Sequence, residues 1–493
     1  MAQFLIPEAR AERPLKHRLA LAGLAALLLA LAQQPFGLFP LAWVALVPFL
    51  AALRDQSASR RATIGGSLGL TYALVAGHWA PIHLGLASLT PVLGWAAGAA
   101  LVALAAGCAP GRWGALPRVV VLATAWAGME YSLFELVPLG LPGLGLGYTQ
   151  VPDAPFLQLA SVIGCYGLSF AVALLNGVAF EVLAGSRMRT WVLGLATVLT
   201  LAVVHGAGAE RITDRPDAPL IVSLIQASDA DLASLLALTD QSLQVSPQLV
   251  VWPSESVEKS RREEDESLSR IGACARELDT TIVAPVQATP TTPETSHVIG
   301  RDGQLLGQRP RSPVIPLAGG GPFLRSGTVL TNPARLGLLL GWEMEVPALA
   351  CYQVRDDAEL LVASASGRRD IGWAGRGQRT AVVRMRAVET HRFIIQVNGF
   401  GLSQIVDPYG REQLRTGAGL IWAVGYAGTM SGYTPYVIWG RWFGPVSAAL
   451  AAAVLLLAGV GALWRAAGRP AGGRVGPEAP HEGGDTDGVP KTD

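Results

Sequence analysis

The sequence predicts a multi-span α-helical membrane domain joined to a layered α/β domain, and three observations predict it. Charged residues make up only 15% of the 493, against about 25% in an average soluble chain. Apolar blocks of membrane-crossing length recur up to about residue 207 and once more after residue 443, and Leu19 to Leu53 carries no charged side chain. Between about Ala218 and Thr429 the pattern switches to short apolar, β-branched runs separated by charged helical stretches.

At the N-terminus, "MAQFLIPEARAERPLKHR" is basic and leads into "LALAGLAALLLALAQQPFG". This has the form of a signal peptide, but a second apolar block follows at once. It therefore reads as a first membrane helix that stays attached. Hydropathy puts eight spans near 19–34, 36–53, 62–79, 86–106, 119–138, 156–180, 190–207 and 443–464, each near the ~20 residues that cross the hydrocarbon. The first two are short, and the "QQPFG" between them also fits the turn of a re-entrant hairpin. The domains are then 1–210, a membrane domain of about seven helices; 216–430, the α/β domain; 436–467, a last membrane helix; and 468–493, a Gly/Pro-rich polar tail read as disordered.

Orientation follows from arginine and lysine, which cytoplasmic loops retain. Arg10, Arg13, Lys16 and Arg18 precede the first span, Arg54, Arg60 and Arg61 follow the second, Arg112 and Arg118 the fourth, and Arg187 and Arg189 the sixth. The alternate loops lack Arg and Lys and carry Glu135 and Asp153. The α/β domain is then extracytoplasmic, and Arg465, Arg469 and Arg474 return to the inside. Glu130, an acid inside a span, needs a partner, a cavity or the outer interface.

In the α/β region the strands are "PLIVSLIQAS", "PQLVVWPSES", "TTIVAPVQA", "LGLLLGWEME", "AELLVASAS" and "RFIIQVNGF", with helices such as "ESLSRIGACARELD" and "GQRTAVVRMRAVETHR" between them. Apolar runs without alternation mark strands covered on both faces. Chemistry in such sheets gathers where strands end. That directs attention to Glu255, Arg309, Arg311, Gly341 to Glu343, and Ser364 to Arg368. A net charge of +1 with no basic run sets nucleic acid aside. Four scattered cysteines and seven histidines form neither CxxC nor HExxH, so neither a metal nor a cofactor is implied.

"QQPFGLFPLAWVALVPFL", "GLPGLGLGYTQ" and "PFLQLASVIGCYGLSFAVALLNG" in the membrane half, then "VVWPSES", "VIPLAGG", "LGLLLGWEMEVP", "RAVETHRFIIQ", "GLSQIVDPYGR" and "GYTPYVIWGRW", together resemble the apolipoprotein N-acyltransferase family, whose extracytoplasmic domain is nitrilase-like. The resemblance covers almost the whole chain. It implies a monomer in the bacterial cytoplasmic membrane that moves an acyl chain from a membrane phospholipid to the α-amine of a diacylated apolipoprotein. It also implies a Glu base, a Cys nucleophile and a Lys that holds the oxyanion.

Each of those three positions departs from the family here. The family's "CYE" is Gly341-Trp342-Glu343, so the nucleophile position has no side chain. Its "WPE" is "WPSE", with Ser254 in the acid's place and Glu255 one residue late, a shift that turns an extended side chain to the other face. The family's lysine, five residues before the proline of "LVPFGE", is Arg311 before Pro316 in "VIPLAG", which keeps the charge but not the shape, and the acid that ends that motif is Gly319. "N-x-G-x-S" is stretched to "NGFGLS", Asn398 to Ser403. Glu255, Arg311 and Glu343 remain as candidate catalytic residues, with a salt bridge to an arginine such as Arg311 as the alternative for Glu343. Cys351 lies too far along the following helix, and Cys274 reads as core; Ser254 or Ser256 is an oxygen alternative. Arg386, Glu389 and Arg392 suit an ion network on one helix face. Two readings stay open: acyl transfer without the thiol, with Glu255 or Glu343 as base, or a catalytically degenerate member that binds lipoprotein or lipid.

Overall fold

The computed structural model describes residues 14–108, 114–136, 140–185, 188–214, 216–227, 230–254, 256–257, 261–288, 292–312, 327–332, 334–365, 372–399, 401–417, 419 and 421–467. Glu255, Gly319, Arg368 and the tail 468–493 lie outside them.

Helices occupy every predicted span. Among the described residues, five are long and apolar enough to cross a membrane: Leu15–Ala32, Gly85–Cys108, Ala160–Ala184, Met188–Arg211 and Phe443–Trp464. We number the main helices α1 (Leu15–Ala32), α2 (Val47–Leu53), α3 (Ala58–Ala76), α4 (Leu89–Cys108), α5 (Ala115–Glu135), α6 (Ala160–Ala184) and α7 (Met188–Arg211). The predicted span 36–53 is broken into a 3-10 turn, Phe39–Trp43, and the short α2, each with proline in its first turn. α3 and α5 are long enough but carry Arg60 and Arg61, and Arg118, Glu130 and Glu135, respectively.

Packing among these helices relies on small residues, because lipid offers no hydrophobic drive between them. Gly65 and Gly69 lie one turn apart on α3. A Cβ at Gly65 would come within 2.4 Å of the Ala99 carbonyl oxygen, and one at Gly69 within 2.0 Å of that of Trp95, so only glycine lets α3 meet α4. Glu130 is fully partnered: its carboxylate accepts from Trp126 Nε1, Leu146 N and Ser169 Oγ. It thereby ties α5 and α6 to the Gly-rich loop between them.

The α/β region builds two six-stranded sheets. Its elements are β1 (Leu220–Gln226), α8 (Leu232–Gln241), β2 (Leu249–Val251), α9 (Arg261–Glu277), β3 (Thr281–Val286), β4 (Thr295–Ile299), β5 (Leu305–Pro310), β6 (Thr328–Leu330), β7 (Arg335–Leu340), α10 (Pro347–Arg355), β8 (Leu360–Ala365), α11 (Gly372–Thr390), β9 (Ile394–Asn398), β10 (Gln404–Val406), β11 (Glu412–Arg415) and β12 (Ile421–Ala427), before α12 (Phe443–Ala467). The sheet orders are β12-β1-β2-β3-β4-β5 and β11-β10-β9-β8-β7-β6. Val222, Leu224, Val251 and Val283 of the first sheet meet Leu336, Leu338, Val362 and Ile395 of the second in one apolar layer. On the first sheet's outer face, Val250, Ile282 and Ala284 pack under Leu235 of α8 and Ile271 of α9. On the second sheet's outer face, Leu339, Leu361 and Ala363 pack with Leu349 of α10 and Val382 and Met385 of α11, and that core runs on into the membrane helices. Both sheet faces are covered, which is why the strands read as unbroken apolar runs.

α11 therefore faces both ways. Gln378 accepts from Trp79 Nε1 at 2.9 Å and donates to the Ala76 carbonyl at 2.9 Å, both in the membrane half. The next residue, Arg379, lies 3.6 Å from Glu345 and stands over the Trp342 ring, both in the turn that ends β7.

Candidate active site

Topology decides which residues meet. β2 is parallel to β3 and β7 to β8, and a hydrogen bond from Ser364 at the end of β8 to the Trp252 carbonyl at the end of β2 sets all four C-terminal ends at one edge of the sandwich. β4 is antiparallel to β3, with Thr295 opposite Val286, so β4 begins where β3 ends. β5 is antiparallel to β4, with Pro310 opposite Thr295, so β5 finishes at the same edge. Ser254, Glu294, Arg309, Arg311 and Gly341 are brought together in this way.

At the end of β7 the chain turns into a 3-10 helix, Gly341–Glu345. Gly341 adopts φ +58, a left-handed conformation that glycine takes without steric cost. A Cβ there would lie 2.7 Å from Arg311 Nη2 and 2.9 Å from its Cζ, so the Arg311 guanidinium occupies the space a nucleophile's side chain would need.

Glu343 is fully buried and turned inward. Its partner is Arg309, not Arg311: Arg309 Nη1 and Nη2 donate to it at 2.5 and 3.1 Å. The backbone N–H groups of Ser312 and Leu340 donate at 2.7 Å each. With four donors, the carboxylate clamps the end of β5 to the end of β7. Two residues on, burial lifts the Glu345 carboxyl above its usual value, opposed by Arg379 and then Arg386.

Sequence reasoning passed over Glu294. It is buried at 2% exposure at the start of β4 and accepts a hydrogen bond from Ser254 Oγ. Its other oxygen lies 3.4 Å from Arg311 Nη1, and its carbonyl accepts from the Arg311 N–H at 2.7 Å. One guanidinium thus stands between the Glu294 carboxylate and the position where Gly341 lacks a side chain. The one signal in the sequence was an acid in the otherwise uncharged "TTPETSHVIG". Ser364 Oγ donates to the Trp252 carbonyl at 2.9 Å, joining the β8 end to the β2 end.

The thiols lie elsewhere. Cys351 is buried in α10, where burial pushes its pKa up to about 12; Cys274, on α9, is pushed up to about 11 by burial. Neither is a thiolate at neutral pH. Ser256 Oγ donates to the Pro285 carbonyl at 3.1 Å. Arg386 and Glu389 form a fully buried ion pair, whereas Arg392 donates to the Ala358 and Gly432 carbonyls instead of joining them. Asn398 and Ser403 close their own loop, with Asn398 N donating to Ser403 Oγ at 3.1 Å. No cluster of His, Cys, Asp and Glu able to hold a metal occurs among the described residues.

Comparison with known proteins agrees with this architecture in both halves. Residues 25–178 match the model of the apolipoprotein N-acyltransferase N-terminal domain, and residues 229–417 match that of the carbon-nitrogen hydrolases. The apolipoprotein N-acyltransferase of Geobacter metallireducens is 25% identical over 79% of this chain and 85% of its own. That of Azotobacter vinelandii is 28% identical over 90% of this chain and 95% of its own. Among solved structures, an amidase of the nitrilase superfamily from Nesterenkonia AN1 aligns with 46% of this chain and 96% of its own, at 18% identity and a TM-score of 0.38. Two domain matches, and relatives aligned along 79% and 90% of its length, establish that the chain belongs to the apolipoprotein N-acyltransferase family.

Proposed function

We propose that this chain transfers an acyl chain from a membrane phospholipid to the α-amine of a diacylglyceryl-cysteine at the N-terminus of a lipoprotein, directly from ester to amine. The observation that carries this reading is the double engagement of α11. Gln378 is held by the membrane half, and Arg379 by the turn that ends β7. The strand-end residues therefore sit one helix away from the lipid-embedded helices, which is where a phospholipid ester and a lipid-anchored amine would both be presented. Without a side chain at position 341, no thioester can form there, and positioning of the two lipids must replace covalent catalysis.

The test is a mass measurement on protein in phospholipid micelles with a diacylglyceryl-cysteine peptide, with Gly341→Cys run beside it. The peptide is expected to gain one acyl chain while the native protein gains none. A peptide left unmodified by native protein, but modified by an intact member of the family, would overturn this reading. It would favour the second, a lipoprotein- or lipid-binding protein on an acyltransferase scaffold. The Arg311 guanidinium lying where a nucleophile would stand is the observation that speaks for that second reading.

The α/β domain is placed on the outer face of the cytoplasmic membrane. The arginines between spans support this side; the exposed tryptophans Trp439 and Trp442 just before the last helix, and Trp191 and Trp464 near the ends of their helices, support the spans themselves but not their direction. Tryptophan gathers at both membrane interfaces. Protease added to right-side-out vesicles is expected to cut between residues 210 and 430, and full protection of that region would reverse the assignment.

A further inference from the structure

We infer that Glu294 is the general base of this site, supplied from the start of β4 in place of the acid that the end of β2 lacks, with Ser254 as its positioning residue. The inference rests on the acyl transfer proposed above and names the group that carries the proton.

Three observations converge on Glu294. It is buried at 2% exposure, outside any helix or strand interior that would explain an acid there as packing. Its two oxygens face two different side chains, Ser254 Oγ and Arg311 Nη1, both donors, so the carboxylate is held as an acceptor, the form that takes up a proton. Its neighbours are the very residues that stand at the family's acid and lysine positions, Ser254 and Arg311. Ser254 Oγ donates to the Glu294 carboxylate, so the end of β2 and Glu294 address the same point. Arg311 is the exposed member of the three, with 31% of its side chain open, so its guanidinium is the group that a substrate meets first, with the Glu294 carboxylate directly behind it.

The step balances without a covalent intermediate. The neutral α-amine, its ammonium proton already given to water, attacks the ester carbonyl carbon. The carbonyl oxygen becomes an oxyanion against the Arg311 guanidinium, which keeps its proton throughout. The extra N–H proton passes to the Glu294 carboxylate. As the bond from the acyl carbon to the glycerol oxygen breaks, that proton goes to the leaving alkoxide, giving amide and lysophospholipid and restoring the carboxylate.

The experiment compares native protein, Glu294→Gln and the double variant Ser254→Glu/Glu294→Gln in the peptide acylation assay, with kcat and KM measured separately. Loss of a general base predicts a fall in kcat of about 10²- to 10⁴-fold for Glu294→Gln, with KM changed only a few-fold. Restoring the acid on β2 is expected to return at least about tenfold of that loss, as a purely structural role for Glu294 would not. A Glu294→Gln variant that keeps the native kcat overturns the assignment while leaving the acyl transfer intact. Native protein that transfers nothing overturns both. Should the single variant fail to fold, the double variant decides: activity supports the assignment, and a folded, inactive protein refutes it.

Discussion

Replacing Glu343 by alanine is expected to cost about 3–5 kcal/mol of stability, the range for removing one partner of a buried ion pair. Arg309, only 1% exposed, would keep its charge with no counter-ion, and the N–H groups of Ser312 and Leu340 would lose their acceptor. A single domain is stable by roughly 5–15 kcal/mol, so this is a large share. The unfolding midpoint of protein in detergent should fall by roughly 6–20 °C. Glu343→Gln should cost less, because it keeps an acceptor oxygen. Arg309→Met combined with Glu343→Leu should recover much of the loss, since no charge is then left buried and unpaired. An unchanged midpoint for Glu343→Ala would show that the clamp between β5 and β7 is not structural. Because Glu343 is spent on this clamp, loss of acylation in Glu343→Ala would be read through the double variant before any catalytic role is assigned.

A comparable loss, about 3–5 kcal/mol, is expected from Glu389→Ala, here at the joint between the two halves. Gly164 interrupts α6 with φ +67, and the Tyr436 ring occupies the space where its Cβ would be. The break leaves the N–H of Cys165 without a partner within the helix, and Glu389 accepts it at 2.8 Å. The same carboxylate neutralises Arg386, whose Nη2 donates to Tyr148 of the membrane half at 2.6 Å and whose Nε donates to the Met344 carbonyl at 3.3 Å. Alanine at 389 would strand a fully buried guanidinium and a buried N–H together. Faster proteolysis of the segments joining the halves, and a midpoint lowered by roughly 6–20 °C, are the expected readouts. Equal protease resistance in variant and native protein would place the cohesion of the halves elsewhere, in the apolar contacts of α11.

The two cases also separate what could be read early from what could not. Arg386 and Glu389 were legible as a network because they lie three apart on one helix, and helical geometry makes them neighbours whatever surrounds them. Their partners, Cys165 and Tyr148, were not, because they come from more than 220 positions away and are fixed only by how α11 docks. For Glu343 an arginine partner was foreseeable, but the choice of Arg309 over Arg311 was not. Arg309 is still paired within β5, opposite Ser296, and so is held inside, whereas the chain leaves the sheet after Pro310 and lets Arg311 turn toward Gly341. The third candidate, Glu255, lies outside the described residues.

By itself the sequence determined the membrane helices, the α/β domain and the six strands singled out in it, because burial of apolar surface on both sheet faces leaves a local, continuous imprint on the chain. It also determined that the nucleophile position is empty, since Gly341 has no side chain in any fold. Only the tertiary structure decided which carboxylate stands beside Arg311. That choice follows from strand direction: β4 runs antiparallel to β3, so its first residues arrive at the edge where β2 and β3 end. Antiparallel return of this kind sets Glu294 beside Ser254 across 40 residues of chain, and no local pattern in the sequence records it.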